Sequence, residues 1–253
     1  MTPMGIEVTG LSHRFGSTQA LADIDLTVRP GTLTGLVGRN GAGKTTLLEL
    51  VAAHRAAQSG QVLLGGEPVW ENPDRTSRVC LMKERGGMYD DEKITASVRA
   101  QRVTRPHWDE TYFYELLDRF EVPTRKAPEK LSTGKRSALR AALALATRAE
   151  VTLLDEVYLG MDAVARRQFY DEVMADYLAH PRTIVLSSHL LDEVEDLLAD
   201  VIVLHRGRVV AAGSADEVRE AHSTGDRLAS LTDVLVTLSS PGGTRWPPAP
   251  PPS

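Results

Sequence analysis

The sequence predicts an α/β fold in which a mostly parallel sheet with crossover helices follows a β-rich front end and is interrupted by a helical insert. Three observations carry this. Short β-like runs open the chain, "IEVTG", "IDLTV" and "LTGLVG", with Pro30-Gly31 as a turn signal between the last two. From about residue 90 to 147 the pattern is helical instead. Strand-like apolar runs then return at "VTLLD", "TIVLSS" and "VIVLH". The helix-like segment "VARRQFYDEVMADYLA" separates the first two of these runs, which is the alternation expected of a parallel sheet.

Each element has its own signal. After "GAGKTT", residues Leu47, Leu48, Val51 and Ala52 repeat at helical spacing, and "GQVLLGGEPVW" reads as two short strands around Gly65-Gly66. Within the insert, Phe113, Leu116, Leu117 and Phe120 form one apolar stripe. Pro123 and Pro128 punctuate the link to the next helix, whose alanines and leucines in "SALRAALALAT" favour helix. Residues 221–238 form a C-terminal extension, and residues 239–253, with six prolines, predict a disordered tail.

Composition bounds the function. With 253 residues and 42% of them hydrophobic, the chain can bury a proper core. The single cysteine, Cys80, excludes an internal disulfide framework and fits a reducing compartment. A net charge of −5 supplies no broad basic field for a nucleic-acid backbone, so no nucleic-acid partner is expected. No apolar run is long enough for a membrane helix, and the N-terminus lacks the pattern of a secretion signal.

The strongest local signal is "GRNGAGKT" at 38–45, with an apolar strand before it and a helix after it. Gly41 and Gly43 let the backbone approach phosphate oxygens, Lys44 carries a positive charge to them, and Thr45 offers a hydroxyl to Mg²⁺. Gly38, Asn40, Ala42 and Thr46 complete the cradle. In "VTLLDE", four apolar residues run into Asp155, suited to the hold on Mg²⁺, and Glu156, suited to act as general base on a water. The competing reading is a helix N-terminus that carries two acids. "TIVLSSH" ends on His189, either a hydrogen-bond donor to a γ-phosphate or an ordinary surface or core histidine. A second anion site is predicted at "LSTGKRSALR", 131–140, where backbone N–H groups open a helix. One nucleotide does not need two cradles from one chain.

Taken together, these segments resemble the ATP-binding cassette family, the nucleotide-binding subunits of ABC transporters, over residues 6–220. Phe15 in "LSHRFG" matches the aromatic that stacks on adenine, with a plain core role as its alternative. The 38–45 stretch matches Walker A, "LSTGKR" the signature, "VTLLDE" Walker B, "LGMD" with Asp162 the D-loop, and His189 the switch histidine. The resemblance implies a P-loop NTPase core with an N-terminal antiparallel β subdomain and a helical signature-bearing subdomain at about 90–147, all within an ATPase domain of 1–220. It also implies ATP and Mg²⁺ as cofactors, and a head-to-tail dimer. Ser132 and Gly134 of one subunit then close over the γ-phosphate held by the other, so that the second cradle serves a partner's ATP.

Departures from the family pattern are Thr133 and Lys135 in the signature and Val157 after Glu156. In "RVCLMKERGGMYDD" the position of the Q-loop glutamine falls on Glu84, as a metal contact, with Lys83 as the alternative. The expected function is the cytoplasmic ATPase of a transporter, peripheral on the inner face of the membrane through a separate transmembrane permease subunit, paired with a second ABC ATPase subunit. The stretch 158–195 resembles the ATPase subunits of GntR-regulated bacterial exporters. The alternative is a soluble ABC ATPase acting in translation or DNA repair.

Overall fold

The computed structural model describes residues 2–223 and 227–239. The chain opens with β1 (Ile6–Phe15), β2 (Thr18–Val28) and β3 (Leu33–Val37), followed by helix α1 (Lys44–Val51), β4 (Ser59–Leu64) and β5 (Glu67–Pro68). The short helix α2 (Pro73–Ser77) leads to β6 (Val79–Lys83). Three helices then run in sequence, α3 (Ile94–Thr104), α4 (Glu110–Arg119) and α5 (Thr133–Ala146). The second half alternates: β7 (Val151–Asp155), α6 (Ala163–Ala179), β8 (Thr183–Ser188), β9 (Asp200–His205), β10 (Arg208–Ser214), α7 (Ala215–Ala221) and α8 (Leu231–Ser239). The expected proline-rich tail, save for Ser239, lies outside the described residues.

Two sheets form. The first is antiparallel, in the order β2-β1-β4-β5, and corresponds to the β-rich front end. The second has six strands in the order β10-β9-β3-β8-β7-β6, parallel throughout except for β10, which pairs antiparallel with β9. Strands β3, β7 and β8 are buried at every residue. Parallel strands covered on both faces need such unbroken apolar runs, so these were the segments most visible in the sequence.

The core divides between the faces of the large sheet. Leu47, Leu48, Leu50 and Val51 of α1 pack between the two sheets with Leu11, Leu21, Ile24 and Leu36. On the other face, α5 is buried continuously over its last ten residues, Ser137 through Ala146, against a cluster that includes Phe113, Leu116, Phe169 and Val173. Alanine at so many of these positions lets neighbours approach the helix from all sides.

The N-terminal edge of the large sheet carries a buried charge cluster. Asp176 of α6 accepts short hydrogen bonds from both Arg148 and Arg182, and the three side chains are 1%, 9% and 0% exposed. Arg148 also reaches Asp109 at 3.3 Å and lies 4.1 Å from the ring centroid of Tyr112 in α4. The cluster therefore ties the helical segment to the sheet at the edge opposite the phosphate loop.

Candidate active site

Topology assembles the site. In the large sheet, β8 lies between β3 and β7, and the register pairs Val37 with Ser188 and Asp155 with Ser187. The carboxyl ends of the three strands thus reach one edge together, the place where open α/β sheets bind ligands. Each strand delivers one predicted segment there: β3 the 38–45 loop, β7 Asp155 and Glu156, β8 His189.

The loop is built around glycine. Gly43 sits at φ 109° as the residue before α1, and a Cβ there would lie 2.7 Å from the Ala20 carbonyl oxygen. Gly41, at φ 80°, has open space where a Cβ would point. No side chain caps α1, so its first N–H groups stay free for an anion. The turn at Gly207 braces the loop: its N–H donates to Ala42 O at 2.9 Å and its carbonyl accepts from Ala22 N–H at 2.8 Å. Lys44 is 6% exposed and its Nζ donates to Gly38 O at 2.8 Å. Asn40 on the loop and Thr46 in the first turn of α1 make no side-chain hydrogen bond among the described residues.

Asp155 ends β7 and Glu156 follows it in a bend, with the next helix starting only at Ala163, which removes the reading of a helix N-terminus that carries two acids. Thr45 Oγ1 donates to Asp155 Oδ2 at 2.6 Å. Asp155 Oδ1 and Ser187 Oγ are buried and make no hydrogen bond among the described residues. Burial pushes the Asp155 carboxyl up from its ordinary value; the Thr45 hydroxyl and the nearby Ser187 hydroxyl pull it down, the Glu156 charge adds to the push, and Lys44 opposes it. A buried carboxylate with one unpaired oxygen beside a hydroxyl is a hard-oxygen donor set, and Mg²⁺ suits it. Glu156 takes a left-handed backbone, φ 51°, a strain of order 1–3 kcal/mol for a non-glycine residue. Its Oε1 lies 3.2 Å from Lys44 Nζ and 3.3 Å from His189 Nδ1.

One residue in this group was not read from the sequence. Tyr158 is fully buried, and its hydroxyl lies 3.0 Å from His189 Nδ1 while accepting the His189 backbone N–H at 3.1 Å and the Ser188 hydroxyl at 3.2 Å. In "DEVYLGMD" a tyrosine beside valine and leucine reads as core, and its partners lie some thirty residues on.

The other predicted residues fall elsewhere. Phe15 is 44% exposed at the end of β1, so the core alternative does not hold; His13 meets its ring edge-on at 4.9 Å and the Arg55 guanidinium lies 5.1 Å from its centroid. Arg55 and Lys83 both bind the buried Glu49 of α1, Lys83 at 2.8 Å. Glu84 is not drawn to the Thr45–Asp155 pair: only its backbone N–H bonds Asp155 O, at 3.1 Å, and its carboxylate faces Arg85 at 3.9 Å. The final residue of a β-strand points its neighbours to alternate faces, which sends Lys83 and Glu84 apart.

Ser132 caps α5, accepting Lys135 N–H at 3.3 Å, and Asp162 caps α6, accepting Ala165 N–H at 2.9 Å. Lys135 Nζ turns back to Phe120 O at 2.7 Å. Gly134 packs so closely on the Gly160 turn that a Cβ would lie 2.9 Å from Gly160 O. Among the described residues no hydrogen bond or ion pair joins Ser132 or Gly134 to the 38–46 loop.

Known proteins resemble this chain in sequence and in fold. A profile of the ABC transporter family fits residues 21–158. The chain is 32% identical over 233 residues to the ABC transporter ATP-binding protein YtrB of Bacillus subtilis, covering 92% of this chain and 80% of that one. It is 34% identical over 230 residues to a sulfate/thiosulfate import ATP-binding protein CysA of Methylococcus capsulatus, covering 87% and 66%. With the daunorubicin resistance ATP-binding protein DrrA3 of Streptomyces coeruleorubidus it shares 31% over 236 residues, covering 90% and 73%. Its fold superposes on a solved ATP-binding subunit of an ABC transporter with a TM-score of 0.80 at 24% identity, covering 92% of this chain and 98% of that one.

Proposed function

The chain belongs to the ABC transporter family and is an ATPase, and from that premise we propose that it dimerises on Mg-ATP to power a separate membrane permease in export. The observation that carries the catalytic part is the convergence of Lys44, Thr45, Asp155, Glu156 and His189 at one sheet edge.

In this reading the loop N–H groups and Lys44 hold the β- and γ-phosphates, and Phe15 stacks on the base. Mg²⁺, when bound by Thr45 and the free oxygen of Asp155, neutralises phosphate charge. We leave Glu84 out of that set because its carboxylate faces Arg85. Glu156 takes the proton of the attacking water, once Lys44 has moved from its carboxylate to phosphate. His189 donates to the γ-phosphate. Ser132 and Gly134 act on a partner subunit's nucleotide, a reading supported by the lack, among the described residues, of any hydrogen bond or ion pair from them to their own phosphate loop.

No described helix is long and apolar enough to cross a membrane. The separate permease, and with it a cytoplasmic place on the inner membrane face, is inferred from membership in the ABC transporter family. Transport is favoured over the translation or repair alternative by the relatives' names. Export is supported by DrrA3, whose name carries drug resistance and which the chain covers over 73% of its length, against 66% for CysA, whose name carries import. Purified chain is expected to hydrolyse Mg-ATP, and Glu156→Gln to lower kcat by at least about 100-fold, within the range of general-base loss, with nucleotide still bound. Turnover near wild type in that variant removes Glu156 from the base role. Co-purification of a multi-span membrane protein tests the permease.

A further inference from the structure

We propose that Tyr158 fixes His189 as the tautomer bare at Nδ1 and protonated at Nε2, so that the ring offers this site a donor and not a base. The inference rests on counting protons in a buried chain of hydroxyls. Ser188 Oγ accepts Leu190 N–H at 3.0 Å and donates to the Tyr158 hydroxyl at 3.2 Å. The Tyr158 oxygen also accepts the backbone N–H of His189 at 3.1 Å, so both of its lone pairs are taken. Its own proton has one acceptor left within reach, His189 Nδ1 at 3.0 Å. Burial pushes the Tyr158 phenol up, so the proton stays on.

The competing arrangement puts a proton on Nδ1, aimed at Glu156 Oε1 at 3.3 Å. Reversing the hydroxyl chain does not rescue it. The Tyr170 hydroxyl, buried beside Ser188 with no hydrogen bond of its own among the described residues, adds a third proton and a third acceptor. The run Tyr170–Ser188–Tyr158–Nδ1 can meet all three protons only with Nδ1 bare, and blocking Nδ1 leaves one unmet inside the protein, which is costly. Tyr158 is thus a positioning residue that acts through His189. Its consequence for catalysis rests on the proposed contact between His189 and the γ-phosphate: a ring with Nε2–H can donate there but cannot take a proton from water, which leaves Glu156 as the only base.

Full chain labelled with ¹⁵N-histidine, observed by long-range ¹H–¹⁵N correlation near neutral pH, tests this without nucleotide. His189 is assigned by the signal lost in His189→Gln. The expected spectrum shows His189 with Nε2 protonated and Nδ1 bare, and Tyr158→Phe, which keeps the ring that packs 6.1 Å from Tyr170, averages the two tautomers. A wild-type Nδ1 that carries a proton overturns the inference, as does a Tyr158→Phe spectrum identical to wild type. If Tyr158→Phe does not fold, the wild-type spectrum decides alone. Kinetics separate the two readings: Tyr158→Phe is expected to lower kcat about tenfold, a hydrogen bond's worth, with KM for ATP unchanged. If His189→Gln hydrolyses ATP normally, the phosphate contact fails while the tautomer assignment stands.

Discussion

Among single residues, Phe15 is the sharpest case. A phenylalanine left 44% exposed at a strand end does little for the core, and its ring is fixed only by His13 and Arg55. Phe15→Ala is therefore expected to leave the melting temperature nearly unchanged while weakening ATP binding by about 1–3 kcal/mol, the worth of one base stack. Equilibrium titration with a fluorescent ATP analogue reads it; a lowered melting temperature with intact affinity contradicts it. Glu49 gives a pH signature. Burial alone would raise its carboxyl, but hydrogen bonds from Lys83 and Arg55 outweigh burial and hold it below the ordinary value. A depressed folded-state value stabilises the fold above the ordinary carboxylate range, and that gain is lost as pH falls through the depressed value. Glu49→Gln should accordingly lower stability by about 1–3 kcal/mol at neutral pH and converge on wild type in acid, followed by thermal melts. The phosphate-loop residues were legible because their chemistry requires fixed spacing along the chain. Tyr158 was not, because its partners His189 and Ser188 meet it only through the pairing of β7 with β8.

At the level of elements, the contact between α5 and the Gly160 turn joins the signature to the D-loop. Gly134 has a steric duty inside its own subunit, since a methyl group would meet Gly160 O at 2.9 Å. Gly134→Ala is thus expected to cost about 1–3 kcal/mol of stability, a fall of about 2–4 °C in melting temperature per kcal/mol. Loss of activity in that variant would say little about a partner's phosphate. Ser132 is the better probe: it is exposed and serves only as a helix cap, worth about 1 kcal/mol. The buried parallel strands β3, β7, β8 and β9 were legible as apolar runs. β6 was not, since in "VCLMK" a cysteine and a lysine interrupt the pattern, although Lys83 is paired with the buried Glu49. β10 and α7 were missed too, because an edge strand and a two-turn helix carry weak periodicity.

For the molecule as a whole, the α/β class, the β-rich front end and the helical insert followed from the apolar pattern of the sequence, while the antiparallel pairing of the front sheet came from the family resemblance. What pattern alone could not give is how the insert is anchored. Asp109 and Tyr112 meet Arg148, and Arg148 meets Asp176, across 28 to 39 residues of chain. Asp176→Ala leaves two buried arginines without their carboxylate and is expected to destabilise by about 3–5 kcal/mol, seen as a large fall in urea midpoint. The central claim is that each ATP site is shared between two subunits. Light scattering on Glu156→Gln with Mg-ATP tests it most directly, with Ser132→Arg added on the same background. The shared-site account predicts twice the monomer mass for Glu156→Gln and monomer mass for the double variant, with ATP still bound to both. A double variant that dimerises as readily as Glu156→Gln would contradict it.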